Sequence, residues 1–193
     1  MAEFKGYRIT SPYGNRTHPI SGGADFHSGV DLVKSHQAPI HSFTSGTVLY
    51  AGFGQSGTGF GGYGNVVFIK DRNNRGLLYA HLDRIAVSNH QRVSEGEVIG
   101  YQGATGYVTG SHLHFEVRKQ AESSPPYGYR SNESASTMDP IEYIQQRTSS
   151  SQLIESGDRG SDVEDIQQKL LRLGYALPTY GLMVYLGMKQ SER

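Results

Sequence analysis

The sequence predicts a mainly β fold: a small antiparallel β-sheet domain, then a short linker and a partial α-helical module. Three observations predict it. Runs rich in β-branched and aromatic residues, bounded by Gly, Asn or Asp, recur between Ile9 and Arg118. No segment in that region keeps a 3.6-residue apolar period. Gly occupies 25 of 193 positions, beside 13 Tyr and 7 Phe; the usual Gly share is about 7%, and the excess fits short strands joined by many turns.

Residues 26–32 form the first informative run. Gly29 and the alternation of Val30 and Leu32 favour a strand, with His27, Gly29 and Asp31 on one face and Val30 and Leu32 turned to the core. Residues 46–51, 65–69 and 76–82 are three further strands, and Asn73-Asn74-Arg75-Gly76 between the last two is a hairpin loop. Residues 52–64 hold seven glycines with Phe53, Phe60 and Tyr63. That density predicts a mobile loop, either a solvated hairpin tip or a rim that touches substrate. Residues 112–117 alternate: His112, His114 and Glu116 on one face, Leu113, Phe115 and Val117 on the other.

Between Gln120 and Thr137 the composition shifts to Ser, Pro, Asn, Gly and Tyr. Asp139 then reads as the N-cap of a helix with Pro140 in its first turn. Thr148-Ser149-Ser150-Ser151 marks a linker. Ser161 and Glu164 match a capping box, Val163, Ile166, Leu170 and Leu173 line one helix face, and Gly174 closes it. The organisation is therefore a domain over 1–146, a linker over 147–156 and a helical segment over 157–193.

Lys+Arg and Asp+Glu number 18 each, so no basic field draws the chain to nucleic acid. Cys is absent, which removes disulfides and thiolate ligands together and leaves imidazole and carboxylate to hold any metal. The first residues lack an apolar h-region and no run of about 18 apolar residues follows. The expectation is no export signal and no membrane span, with synthesis in the cytoplasm.

Eight histidines are present. His27 and Asp31 converge whether their segment is strand or helix. Two imidazoles on one strand face, His112 and His114, lie roughly 6.5–7 Å apart along it, a spacing that suits one ligand and one neighbouring base. Zinc accepts His nitrogen and Asp oxygen, and a catalytic site keeps three protein ligands and an open position. His36, His41 and His90 sit in polar or turn-like contexts and read as surface residues. Ser111 has no obvious base or oxyanion partner, so a serine hydrolase is the poorer reading.

His27-x-x-x-Asp31, then Tyr79-Ala80-His81-Leu82, then His112-x-His114 resembles the lysostaphin/LytM-type metallopeptidases, the M23 family. The resemblance extends to residues 11–19, to Gly62-Tyr63-Gly64-Asn65-Val66-Val67, to Val93 with Ile99-Gly100, and to residues 109–118. It covers about residues 7–145. It implies a groove over the sheet, one Zn2+ per chain held by His27, Asp31 and His114, and His81 with His112 as the catalytic pair. It also implies bacterial peptidoglycan as substrate, with a peptide bond of a cross-bridge or stem as the one cut. Arg16 and His18 would lie on the groove wall, where substrate contact and a turn-forming role are both open. Glu116 could orient a ligand or face solvent. Two rival readings stand beside it: a LytM-like regulator that has lost activity, although such proteins lose ligands and all five positions are filled here, and a wall-targeting binding module with incidental zinc.

Residues 156–175 resemble the opening of a peptidoglycan-binding helical module, but the expected Asp-Gly-x-Phe-Gly turn is missing. One back-translation of residues 182–192, shifted by a nucleotide, spells Ile-Asp-Gly-Ile-Phe-Gly-Asp-Glu-Thr-Glu-Arg, so the tail is expected to be out of frame after about Gly181. With the missing export signal, the module suggests a phage or prophage endolysin that meets the wall after holin-type release or lysis. One amphipathic helix cannot bury a core of its own. Removing residues 150–193 should therefore leave hydrolysis largely intact; loss of metal or activity in the shortened protein would contradict the two-part organisation.

Overall fold

The structure is a computed structural model, and it describes residues 2–17, 22–130 and 132–150. His18 and residues 151–193, with their expected helix and aberrant tail, lie outside the described residues. The chain divides into a unit of Met1–Gln145 and a second that begins at Gln146.

The strands of the first unit are, in order, β1 (Glu3–Phe4), β2 (Tyr7–Ser11), β3 (Gly14–Thr17), β4 (Ala24–His27), β5 (Gly29–Val33), β6 (Pro39–His41) and β7 (Gly46–Phe53). Then come β8 (Asn65–Lys70), β9 (Gly76–Leu82), β10 (Arg84–Ile85), β11 (Arg92–Val93), β12 (Val98–Tyr101), β13 (Leu113–Arg118) and β14 (Thr137–Met138). Among the described residues, nine of them make one antiparallel sheet in the order β1-β2-β5-β13-β9-β8-β7-β11, with β14 added on β13. The mainly β expectation holds.

β13 is the centre of this sheet. Its Leu113, Phe115 and Val117 join Val30, Leu32, Leu77 and Tyr79 in one buried cluster, as alternation requires. Its other face is also buried: His114, Glu116 and Arg118 are each at most 5% exposed. Glu116 therefore does not face solvent. A second cluster, built from Phe60, Val66, Phe68, Leu78 and Ala80, covers that face beside them. Both faces of the central strands are thus covered, which explains why β9 is buried at all seven positions.

The β8–β9 hairpin turns where expected. The Asp71 carboxylate accepts from the backbone N–H of Asn73 and of Arg75 at 2.9 Å each, and Asn74 takes the left-handed conformation (φ 57°). The helix α1 (Glu133–Ser136) and the helix α2 (Pro140–Ser150) follow. Asp139 caps α2 by accepting from the N–H of Ile141 at 2.9 Å and of Glu142 at 3.2 Å. α2 extends over residues 147–150, where the serine-rich composition predicts a linker.

Two expectations need correction. Residues 26–32 are two strands: His27 ends β4, which pairs with β3, and Asp31 lies in β5, which pairs with β13. The glycine-dense stretch is packed, contrary to the mobile reading. Phe60 is fully buried and stacks on Tyr127 with ring centroids 4.5 Å apart. Gly64 (φ 64°) backs onto Thr105 so closely that a Cβ there would stand 2.3 Å from its carbonyl carbon. The glycines give close backbone approach. Truncating Phe60→Ala should lower unfolding free energy in urea by about 3–5 kcal/mol; a loss under about 1 kcal/mol would mean that the stretch is not part of the packed domain.

Candidate metal centre

The antiparallel register of β13 with β5 sets His114 directly opposite Asp31, and β4 delivers His27 just before β5 begins. Their donor atoms form a triangle. His27 Nε2, His114 Nδ1 and Asp31 Oδ1 lie 3.2 Å from one another on every side. A tetrahedral zinc with bonds of about 2.0 Å requires ligand atoms about 3.3 Å apart. The triangle fits that ion without adjustment, and these are the three residues that the resemblance names as ligands.

The neighbours fix which nitrogen points inward. His27 Nδ1 is 2.8 Å from the Pro12 carbonyl, which can only accept, so Nδ1 carries the proton and Nε2 offers a lone pair. His114 turns its Nδ1 to Asp31 and leaves Nε2 buried, 3.6 Å from Glu116 Oε2 and without a hydrogen-bond partner of ordinary length. Gly29 makes room for that ring: a Cβ there would stand 2.8 Å from His114 Cε1.

Glu116 is itself held on all sides. It accepts from Arg118 Nε at 2.7 Å, from Ser28 Oγ at 2.7 Å and from the Tyr63 hydroxyl at 2.9 Å. Arg118 spends its other donors on the Gly59, Pro126 and Tyr127 carbonyls. This is the carboxylate–histidine arrangement that orients metal-binding imidazoles elsewhere.

The electrostatics favour a cation. Burial alone would raise the Asp31 carboxyl, but hydrogen bonds with His114 and His27 hold it far below the usual range. Burial opposes charge on His114 too, yet Asp31 and Glu116 pull it up to about 9. Burial would raise the Glu116 carboxyl, and Arg118 with His114 brings it down to about 2. The two carboxylates thus make the surroundings of His114 negative.

His81 and His112 meet beside the triangle, their ring centroids 4.8 Å apart. His81 Nδ1 is 2.9 Å from the Thr105 carbonyl and His112 Nδ1 is 2.9 Å from the Gly110 carbonyl. Both therefore present Nε2 lone pairs, His112 at 3.5 Å from Asp31 Oδ1. Burial first, and His114 second, push His81 down to about 3, so its imidazole is neutral at pH 7. His112 lies just ahead of β13 rather than in it, tied to the strand path by its N–H to the Gly103 carbonyl.

These side chains floor a groove of about 520 Å³, lined also by residues 61–63 and 107–109, two segments joined where the Tyr107 N–H donates to the Gly62 carbonyl at 2.8 Å. Arg16 lines it as expected. It donates to Asp25 Oδ2 at 2.8 Å and to Ser11 Oγ at 2.9 Å, and reaches within 4.0 Å of Asp31 Oδ2. His36 and His90 are exposed, and half-buried His41 faces the Gly96 carbonyl. Ser111 does have an imidazole, His36 Nδ1 at 3.0 Å, but it is shared with Gln102 and absent from the groove lining. Nothing in the sequence marks Ser28, and only the position of Tyr63 in the Gly62–Val67 motif hints at a role.

The model of peptidase family M23 matches residues 25–126, just over half of the chain. The DD-carboxypeptidase/endopeptidase Mpg of Neisseria meningitidis is 38% identical over 119 residues, 62% of this chain and 26% of its own length. The peptidoglycan DD-endopeptidase ShyC of Vibrio cholerae is 36% identical over 110 residues, 56% and 24% respectively. This chain thus spans about a quarter of the length of these curated relatives. The catalytic domain of the antimicrobial peptidase lysostaphin from Staphylococcus simulans superposes with a TM-score of 0.57 at 28% identity, covering 72% of this chain and 92% of that one.

A depressed carboxyl contributes stability above its unfolded value and loses it as pH falls toward its folded value. The melting temperature should therefore decline as pH drops from the ordinary 4.5 of Glu116 toward about 2, a fall to which the depressed His81 adds at somewhat higher pH. Glu116→Gln should flatten the acid limb in differential scanning calorimetry; an unchanged slope would remove Glu116 as its source.

Proposed function

Because the chain belongs to peptidase family M23, we propose that it is a zinc-dependent endopeptidase that hydrolyses peptide bonds of bacterial peptidoglycan, in a cross-bridge or a stem peptide. One observation carries the proposal: the 3.2 Å triangle of His27, Asp31 and His114 at the floor of an open groove. His27, Asp31 and His114 would hold one Zn2+. That ion, when bound, supplies Lewis acidity to the oxygen atoms near it.

The remaining chemistry belongs to residues of the chain. His81 and His112 each keep Nδ1–H on a backbone carbonyl and an Nε2 lone pair toward the reacting space. One of them takes a proton from the attacking water as its oxygen bonds to the carbonyl carbon. The other, when it carries a proton on Nε2 as well, donates to the oxygen that gains negative charge, and the proton taken from water passes to the amine nitrogen as the C–N bond breaks. An extended peptide lies along the groove, past the joined segments 61–63 and 107–109 and with Arg16 beside it. The name of ShyC, and the wall-module resemblance at residues 156–175, support peptidoglycan as the polymer. Action as a phage or prophage endolysin, after holin-type release, is part of this same proposal.

Purified sacculi should be cleared by the protein, and a chelator should stop the clearing until Zn2+ is restored. Asp31→Ala should abolish both clearing and bound zinc. His81→Ala and His112→Ala should keep zinc yet lower the rate by about 10²-fold or more. Chelator-insensitive clearing, or full activity of Asp31→Ala, contradicts the proposal.

A further inference from the structure

Tyr63 lies at the end of the glycine-dense stretch and touches three parts of the site. Its ring stacks on the His114 ring, with centroids 5.1 Å apart and planes 21° from parallel. Its hydroxyl donates to Glu116 Oε2 at 2.9 Å and stands 3.3 Å from Ser28 Oγ. Its backbone carbonyl accepts the N–H of His81 at 2.9 Å. His81 needs such a tether, because its φ of 61° is a left-handed conformation that a non-glycine residue holds only when its surroundings impose it.

We propose that Tyr63 is a positioning residue for the metal centre, acting through Glu116 on His114 and through its backbone on His81. The inference rests on the metal reading above. Glu116 Oε2 takes two hydroxyl donors, from Ser28 and Tyr63, and these fix the carboxylate facing His114 Nε2. That fixed carboxylate favours the tautomer with a proton on Nε2, which frees Nδ1 to bind the ion. The tyrosine ring stops His114 from rotating out of the plane that aims Nδ1 at Asp31.

The residue also couples the groove wall to its floor. Gly61, Gly62 and Tyr63 line the groove, and Arg118, the other partner of Glu116, holds the same stretch through the Gly59 carbonyl at 2.6 Å. One carboxylate is thus fixed by two ends of the same loop. Displacement of that loop would loosen His114.

Three proteins test this: the full chain, Tyr63→Phe and Tyr63→Leu, each loaded with Zn2+ and titrated with a competing chelator, then loaded with Co2+ for absorption spectra. Tyr63→Phe loses only the hydroxyl and should weaken zinc binding about tenfold, with shifted cobalt bands and an unchanged far-ultraviolet circular dichroism spectrum. Tyr63→Leu loses the stacking too and should weaken binding further. If Tyr63→Phe binds zinc within twofold of the full chain and its cobalt spectrum is unchanged, the positioning role is overturned. A full chain that binds no zinc overturns the metal reading and this inference together, whereas tight zinc binding without wall clearing overturns only the proposed substrate.

Discussion

The pairing of β13 with β5 is the constraint on which the rest of the molecule depends. Because His114 and Asp31 are direct cross-strand partners, their side chains share one face of the sheet at the closest spacing that two strands allow. A slip of one residue between the strands would part the two onto opposite faces and set Val30 or Leu32 opposite His114. The apolar alternation of both strands holds the register, so the core specifies the site. The same strand then brings β9 to its other edge, which places His81 near His114 from the opposite side.

Holding charges inside a sheet is costly unless each one is paired. The polar face of β13 answers this with alternating charge: His114, Glu116 and Arg118 follow one another along the strand, Glu116 bonded to Arg118 at 2.7 Å and 3.6 Å from His114 Nε2. Arg118, fully buried, ends the series on three backbone carbonyls. Burying those groups required a cover, and the glycine-dense stretch with Phe60 and Tyr127 provides it. The cover also becomes a wall of the groove.

How much was legible in the sequence followed from distance along the chain. The strands with strong alternation were readable, and His27 with Asp31 and His112 with His114 stood out as close pairs of ligand-type residues, although neither pair shares one strand. His81 was readable only through the family resemblance, since nothing in residues 76–82 announces a left-handed residue at the strand end. The break at Ser28 was hidden, because the run from Phe26 to Leu32 alternates as one strand does, while its pairing partners lie elsewhere. Phe60, Tyr63 and the burial of Glu116 were not readable at all. Each depends on a loop folding across a strand about fifty residues away, and high glycine content suggests freedom when viewed without that strand.

His114 and His27 use different imidazole nitrogens, and this has a geometrical consequence. Nδ1 lies closer to the main chain than Nε2, so His114 would grip an ion on a short tether while His27 would work on a long one. The seat of that ion would be set by the sheet backbone on the β13 side and by side-chain length on the β4 side. An asparagine amide reaches about as far as Nδ1 and a glutamine amide about as far as Nε2. The two histidines are thus unequal as sites for replacement, although both belong to the same trio.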